Sequence, residues 1–279
     1  MNMGKDNANQ TFWDHLDALR LVIVKIAVIT VATGIIAFLF KKELFSVILA
    51  PKRPGFITYD LIGVINGLMG DSDLSGVDVQ LINTGLAEQF IIHMKMAVCV
   101  GILLASPYII YQLFRFVSPA LYVNERRYAV KTVAGGYLMF ILGILTSYFL
   151  IFPLTFRFLG TYQVDAEVMN MISLQSYIST LMVMSFALGI VFEMPVIAWL
   201  FGKLGFISPA FMKTYRKHSI VIILIIAAII TPTSDIFTLL LVSLPMYILY
   251  EISIYLVRKT QIAKHTTIIA ETIIPLSQQ

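Results

Sequence analysis

The sequence predicts an all-α polytopic membrane protein with six transmembrane helices, and three observations lead to that prediction. Hydrophobic residues make up 58% of the 279-residue chain and charged residues 13%, against about 45–50% and about 25% in soluble domains. The mean hydropathy is +0.86, which is more apolar surface than a water-soluble core of this size can hide. Six apolar segments are separated by polar or proline-containing stretches. They cover residues 21–40, 90–113, 132–154, 174–201, 219–230 and 236–257.

The lengths of these segments predict how each one crosses the bilayer. A helical span needs about 20 apolar residues at about 1.5 Å of rise each, and four segments fit that length directly. Segment 174–201 is longer, so we expect tilt or a kink at Pro195. Segment 219–230 covers only about 18 Å as a helix, so it either thins the bilayer or is shielded by neighbours. Residues 231–234 are too few for another element, and the last two segments form a tight helical hairpin.

The distribution of positive charge predicts the orientation. With the N-terminus in the cytoplasm, fourteen of the 20 Lys and Arg residues fall inside and five outside, which favours an N-in, C-in topology. We therefore expect one integral membrane domain. Its parts are a cytoplasmic amphipathic N-terminus at 1–20, a six-span bundle at 21–257 with an outer cap at 41–88, and a cytoplasmic tail at 258–279.

Several functional classes are excluded by missing chemistry. Cys99 is the single cysteine, so no internal disulfide forms, and the four histidines are scattered without metal-ligand spacing. No phosphate-binding loop, dinucleotide-binding fingerprint or hydrolase motif is present. The excess of basic residues sets orientation in a membrane protein and does not indicate nucleic-acid binding. We expect a protein that is not an enzyme and that holds no metal or cofactor.

Two polar motifs flank the first three segments. Leu16, Leu19 and Ile23 recur at helical spacing around Arg20, which predicts an amphipathic helix entering the membrane. By itself this motif favours a plain interfacial anchor. Between the second and third segments, Glu125 is the only carboxylate of a loop that begins after Pro119. That loop is either a surface ion pair on a topology loop or an acidic socket for a basic ligand.

Two further motifs lie within or beside the later segments. Glu193 is an ionisable residue inside the fourth segment, where a carboxylate costs about 2.5–3.5 kcal/mol at a helix centre, so we expect it to face a cavity or a partner. Glu251 lies nearer the inner end of the last segment and can snorkel to the interface. In the hairpin, Thr233, Ser234 or Asp235 can cap the start of the last helix, and the alternative is a role toward a partner.

Taken together, these motifs resemble the TatC family, the multispanning subunit of the twin-arginine protein translocase. HLDALR is similar to that family's HLxELR at the N-terminus, and FVSPALYVNERR to its FxxPxLxxxER loop. FEMP is similar to its FExP in the fourth span, and ITPTSDIF to its TPxD hairpin. The match runs in order over roughly residues 12–258. Each motif is weak alone, and the ordered set is specific.

The resemblance implies a curved, glove-like bundle in the bacterial cytoplasmic (inner) membrane. It implies that the chain binds twin-arginine signal peptides of folded cargo at the cytoplasmic face and works with the single-span partners TatA and TatB. It also implies self-association in a receptor complex, contact with lipid, and transport driven by the proton-motive force. Glu193 matches the intramembrane glutamate, and Thr231, Pro232 and Asp235 match the partner-binding hairpin. The residues implied for signal-peptide binding are Asp14, Asp17, Arg20, Phe116, Pro119, Glu125, Arg126 and Arg127.

Two departures from the family pattern affect these implied roles. The glutamate of HLxELR is Ala18 here, so either Asp14 or Asp17 would have to receive the second arginine. The hairpin also carries one extra residue, which leaves its conformation open. Two readings outside the resemblance remain: a proton-coupled secondary transporter using Glu193, and a membrane scaffold whose loops only hold the topology.

Overall fold

The fold is taken from a computed structural model of the 279-residue chain. The structure describes residues 12–61, 63, 80–117, 129–165, 170–231 and 235–273. Within these ranges, side chains are described for residues 16–61, 63, 80–116, 133–165, 170–231 and 235–262.

Almost all regular structure in the described ranges is helical. A short 3-10 turn, Ala50–Lys52, follows the second helix, and two two-residue strands pair in parallel, β1 (Leu81–Ile82) with β2 (Ile172–Ser173). The helices are α1 (Phe12–Leu39), α2 (Lys41–Ile48), α3 (Glu88–Val117), α4 (Ala129–Thr146), α5 (Phe152–Thr161), α6 (Leu174–Phe192), α7 (Met194–Leu204), α8 (Pro209–Thr214), α9 (Arg216–Ile230) and α10 (Ile236–Ile273).

The helical polytopic class predicted from the sequence is confirmed. Within the described residues, five helical stretches are long and apolar enough to cross a membrane, and they coincide with five of the six predicted segments. The remaining segment forms α9, whose 15 residues extend about 22 Å at 1.5 Å per residue. Six spans and the N-in, C-in orientation stay predictions. The five stretches are Leu16–Leu39, Glu88–Phe116, Val133–Thr161, Leu174–Leu204 and Ile236–Ile262.

The described helices fall into two compact units. The first unit comprises residues 1–47 and 85–137, and it is built on α1 packed against α3. The Thr33 hydroxyl donates to Gly101 O at 2.8 Å, and the Phe38 ring stacks on the His93 ring with centroids 4.1 Å apart. The later residue of α1, Phe38, contacts the earlier residue of α3, His93, so the two helices are antiparallel. A Cβ on Gly101 would lie 2.7 Å from Gly34 Cα, and glycine therefore permits this close crossing.

The second unit comprises residues 48–84 and 138–279. Its most deeply buried side chains come from α5, α6, α9, α10 and the π-helical turn before α5, with Met184, Leu188 and Met246 each at 0% exposure. A Cβ on Gly143 would approach Leu188 O to 2.7 Å, so α4 and α6 cross with their backbones close together. Apolar side chains that remain exposed on these helices face the lipid expected around such spans.

The third predicted segment continues seven residues beyond its expected end at 154. A π-helical turn, Ser147–Ile151, joins α4 to α5, so the helix runs on to Thr161. Pro153 occupies the first turn of α5, where a missing N–H is tolerated. It nevertheless cannot donate to Phe149 O four residues earlier, and the Thr58 hydroxyl donates to that carbonyl instead.

Three hydroxyl groups attach the segment after α2 to the rest of the second unit, and we call them the cap latch: Thr58, Tyr59 and Tyr177. The Tyr59 hydroxyl donates to Pro51 O at 2.9 Å and also lies 3.2 Å from Pro153 O. The Tyr177 hydroxyl donates to Ile48 O at 3.0 Å. Burial raises the pKa of Tyr59 to about 12, although the Arg157 guanidinium, 5.5 Å above its ring, acts in the opposite direction.

Candidate functional site

The described part of the predicted recognition face lies at one end of the α1–α3 pair. Arg20 precedes the Thr33–Gly101 contact by thirteen residues and Phe116 follows it by fifteen, which places both about 20 Å from that contact along antiparallel helices. Asp17 and Arg20 are exposed and Phe116 is half-buried. The structure therefore brings the HLDALR motif and the start of the 116–127 loop to the same end of the first unit.

The remaining residues implied for signal-peptide binding have side chains outside the described set. Asp14 belongs to the backbone of α1, but its side chain falls outside the described set. Pro119, Glu125, Arg126 and Arg127 lie outside the described residues altogether. Ala18 is exposed beside Asp17, so the position of the missing family glutamate is open to solvent or headgroups. The choice between Asp14 and Asp17 as its replacement stays a prediction.

The helix is interrupted at Glu193, two residues before Pro195, where tilt or a kink was expected. Helix α6 ends at Phe192, α7 begins at Met194, and Glu193 joins them with helical dihedral angles. Pro195 has no N–H for Val191 O, and the backbone N–H of Glu193 contacts that carbonyl together with Ile190 O. The Ile190 and Val191 carbonyls therefore remain in contact with a backbone N–H at this break.

The Glu193 side chain has one oxygen without a polar partner among the described residues. Its Oε1 atom is buried and receives no hydrogen bond from any described residue. An unpartnered carboxylate within a membrane-spanning helix is costly and marks a functional position by default. A solute site would need several convergent polar groups. None of the described residues donates a hydrogen bond to Oε1. This environment does not favour the transporter reading.

At the hairpin, Asp235 caps helix α10. Its Oδ1 accepts from the Thr238 backbone N–H at 2.7 Å, and Oδ2 accepts from the Thr238 hydroxyl at 2.5 Å. The Thr231 hydroxyl donates to Ala227 O at 3.0 Å at the end of α9. Pro232 lies outside the described residues. The capping role predicted for Asp235 is confirmed, and its role toward a partner stays a prediction.

One ion pair was not anticipated from the sequence. The Arg216 Nη2 atom donates to Glu251 Oε2 at 2.6 Å, and the Tyr247 hydroxyl donates to Oε1 of the same carboxylate at 3.2 Å. Glu251 thus bridges α9 and α10, rather than simply extending toward the interface. Both members are partly exposed, 44% and 32%, so the pair positions the two helices more than it stabilises them. Because Arg216 and Glu251 are 35 residues apart in the sequence, no local pattern predicted that they would pair.

No metal centre is found in the part of the chain that the structure describes: no group of three or more His, Cys, Asp or Glu side chains there could hold an ion. The described site is instead a set of separate features. They are an exposed charged helix start, a carboxylate with an unpartnered Oε1 atom at a helix break, and a capped hairpin.

Comparisons with known proteins agree with these features. A family model described as "Sec-independent protein translocase protein (TatC)" matches residues 14–245. The TatC protein of Aquifex aeolicus is 36% identical over 247 residues, covering 87% of this chain and 92% of that protein. The TatC protein of a Blattabacterium is 32% identical over 259 residues, covering 91% and 97%. A crystal structure of the twin-arginine translocase receptor TatC superposes with a TM-score of 0.71 at 33% identity, covering 88% of this chain and 99% of that one.

Fold and comparisons together define a multispanning membrane component of a protein translocase. The chain belongs to the TatC family, a family of translocase components rather than of catalytic enzymes.

Proposed function

We propose that this chain is the receptor and core subunit of a twin-arginine translocase, with both termini in the cytoplasm of the bacterial inner membrane. It binds twin-arginine signal peptides of folded cargo at the cytoplasmic face, self-associates, and works with TatA-type and TatB-type partners under the proton-motive force. The observation that carries the proposal is the meeting of Asp17, Arg20 and Phe116 at one end of the first unit, in a chain that belongs to the TatC family.

The chemistry of recognition follows from the shape of arginine. Its planar guanidinium forms paired hydrogen bonds with carboxylates, and an ammonium group cannot reproduce that geometry. Glu125, together with Asp14 or Asp17, supplies the acceptors in this proposal, while Arg20, Arg126 and Arg127 orient the carboxylates. Phe116 and Pro119 support the loop that carries Glu125. A charge-assisted hydrogen bond contributes about 1.5–3 kcal/mol, which suits reversible binding.

Peptide binding tests this site directly. Purified protein in detergent is titrated with twin-arginine and twin-lysine signal peptides, for wild type, Glu125→Ala, and the double variant Asp14→Ala/Asp17→Ala. We expect the wild type to prefer arginine and each variant to lose that preference. Asp60→Ala is the matched control, because Asp60 is an exposed carboxylate in the second unit. Equal binding of both peptides by the wild type would contradict the proposed recognition site.

Glu193 is proposed to act inside the membrane. Its Oε1 atom, which has no polar partner among the described residues, would accept a hydrogen bond from a partner or cargo. Glu193→Gln keeps the side-chain shape and removes the charge. We expect export of a twin-arginine cargo to fall in cells while signal-peptide binding and the unfolding midpoint are retained. Full export activity in this variant would refute a functional role for the carboxylate.

The hairpin residues Thr231, Pro232 and Asp235 are proposed to dock a single-span partner. Asp235→Asn preserves the cap and removes the charge, whereas Asp235→Ala removes both. Co-purification with TatB-type protein is measured for both variants. Loss in both variants supports a role for the charge in docking, and unchanged co-purification in both would refute it.

Topology has its own test. In a Cys99→Ala background, Lys42→Cys and Lys259→Cys each place an exposed thiol near one end of the helices. A membrane-impermeant maleimide applied to intact cells stripped of their outer membrane should label the first and leave the second unlabelled. The opposite labelling pattern would reverse the proposed orientation.

A further inference from the structure

The end of the second unit that carries α8 combines exposed aromatic and cationic side chains. Phe206 is 78% exposed and Phe211 is 56% exposed, both within or just before the six-residue helix α8. Lys213, Lys217, Arg258 and Lys259 are also exposed. We call these six residues the α8 surface. Aromatic rings interleaved with basic residues are typical of a segment at the membrane–water interface.

Hydrogen bonds to α10 hold this surface together. The Gln261 amide donates to Ile207 O at 3.5 Å, and the Tyr250 hydroxyl donates to Met212 O at 2.7 Å. Tyr250 and Gln261 are separated by about 16 Å of helix at 1.5 Å per residue, and the 207–212 segment runs beside that stretch. Arg258 and Lys259 belong to the same stretch of α10. The cations of two separate chain segments are therefore gathered at one level.

The positive charge of the α8 surface is not balanced by neighbouring carboxylates. In the described residues 203–217 and 250–262, Glu251 is the one acidic residue, and Arg216 already pairs with it at 2.6 Å. Four exposed cations thus remain beside a neutral ion pair. Lys213 and Lys217 follow the end of the apolar span Leu174–Leu204, and Arg258 and Lys259 lie in the last turns of the span Ile236–Ile262. Cations at the ends of spans are placed to reach lipid headgroups.

We propose that the α8 surface is a binding site for an anionic phospholipid headgroup, with a diphosphate lipid such as cardiolipin preferred. Two phosphates match two pairs of cations, Lys213 with Lys217 and Arg258 with Lys259, while Phe206 and Phe211 insert among the acyl chains. The exposed rings of Phe206 and Phe211 favour a lipid over an acidic protein as the ligand. Acyl chains can cover these rings, whereas a strongly acidic protein surface offers few apolar groups to pack against them. The α8 surface belongs to the second unit, and the proposal does not depend on the proposed function.

The test uses delipidated full-length protein in dodecyl maltoside, with bound lipid counted by native mass spectrometry. Cardiolipin is compared with phosphatidylcholine of matched chains, inorganic phosphate and polyglutamate. We expect retention of cardiolipin only. The variant Lys213→Gln/Lys217→Gln/Arg258→Gln/Lys259→Gln should bind it at least about tenfold more weakly, equivalent to about 1.4 kcal/mol.

A matched variant controls for total charge. Lys41→Gln/Lys42→Gln/Arg53→Gln/Lys95→Gln removes the same number of exposed cations elsewhere, and we expect its affinity for cardiolipin to stay within about twofold of wild type because distant exposed charges are screened. An equal loss of cardiolipin affinity in both variants would show that net charge alone determines binding, and it would overturn the proposed site. Competition by inorganic phosphate would overturn the lipid source, and competition by polyglutamate would indicate a surface for acidic proteins instead.

Two further measurements keep the proposal testable if the quadruple variant does not fold. For the wild type, cardiolipin affinity should fall at least about tenfold between about 50 mM and about 500 mM NaCl, because exposed charges are screened over these concentrations. Phe206→Ser/Phe211→Ser keeps every cation and should weaken binding at both salt concentrations. Salt-independent binding, or wild-type affinity in the Phe variant, would refute the proposal.

Discussion

The hydrogen bond between Thr58 and Phe149 gives the sharpest prediction of stability. Pro153 leaves Phe149 O without its helical donor, and the Thr58 hydroxyl takes that place across 91 residues of sequence. Thr58 is 5% exposed, so water from the surface does not readily replace it. Thr58→Val keeps the shape of the side chain and removes the donor, leaving the carbonyl unsatisfied.

The expected cost follows from the chemistry of a buried polar group. Leaving a buried acceptor unpaired costs about 1–3 kcal/mol, whereas replacing both partners with apolar groups can be nearly neutral. We therefore expect Thr58→Val to lower the free energy of unfolding of the second unit by about 1–3 kcal/mol. Signal-peptide binding should be retained, because none of the residues proposed for recognition belongs to this latch.

The assay uses denaturant titration in detergent, followed by the fluorescence of Trp199 in a Trp13→Phe background, since these are the two tryptophans of the chain. Thr146→Val is the matched control. Its hydroxyl donates to Leu142 O at 2.7 Å within the same helix, where a backbone N–H already serves that carbonyl. If Thr58→Val were no more destabilising than Thr146→Val, the account of the proline-freed carbonyl would be wrong.

Three other predictions follow from the fold. The pKa of Tyr59 is raised from 10.0 to about 12, so folding favours the neutral phenol. The resulting stabilisation is complete below pH 10 and is lost as the pH rises toward 12. Tyr59→Phe should therefore flatten that part of a plot of unfolding free energy against pH. Gly101→Ala forces a Cβ to within 2.7 Å of Gly34 and should destabilise the first unit by about 1–3 kcal/mol in thermal unfolding followed by Cys99 labelling, whereas Gly135→Ala, with nothing within 4 Å, should not. Asp235→Ala should cost about 1 kcal/mol through loss of the α10 cap while Asp235→Asn costs little; equal losses in denaturant titrations would show that charge, not capping, stabilises the helix.

Features controlled by local chemistry were predictable from the sequence. Long apolar runs gave five spans at nearly their observed positions, and Pro195 marked the α6–α7 break. A cap was expected from Thr233, Ser234 or Asp235, and the structure shows Asp235, whose side chain bonds only three residues away. Family membership followed from several short motifs in a fixed order, which composition alone does not provide. These features share short sequence separations and strong backbone preferences.

Features that need tertiary register were not predictable. The third segment was predicted to end at 154, but the π-helical turn and the Thr58 hydroxyl accompany a helix that continues to Thr161. The Arg216–Glu251 pair depends on how α9 and α10 align after the hairpin, and no periodicity in either segment specifies that alignment. The lack of a partner for Glu193 Oε1 is likewise a property of packed neighbours, although the cost of a carboxylate in a span flagged the residue itself.

The cap latch also imposes a temporal order on biosynthesis. Thr58 leaves the ribosome before Phe149. The hydroxyl donor has therefore already been synthesised when the span that contains Pro153 emerges and Phe149 O needs a partner. Tyr177, which secures Ile48 O at 3.0 Å, belongs to the next span and emerges later. A nascent chain with three spans thus holds both members of the first contact but lacks the second. Attachment of the cap is consequently divided between two successive insertion events, and neither contact has to wait for the final hairpin.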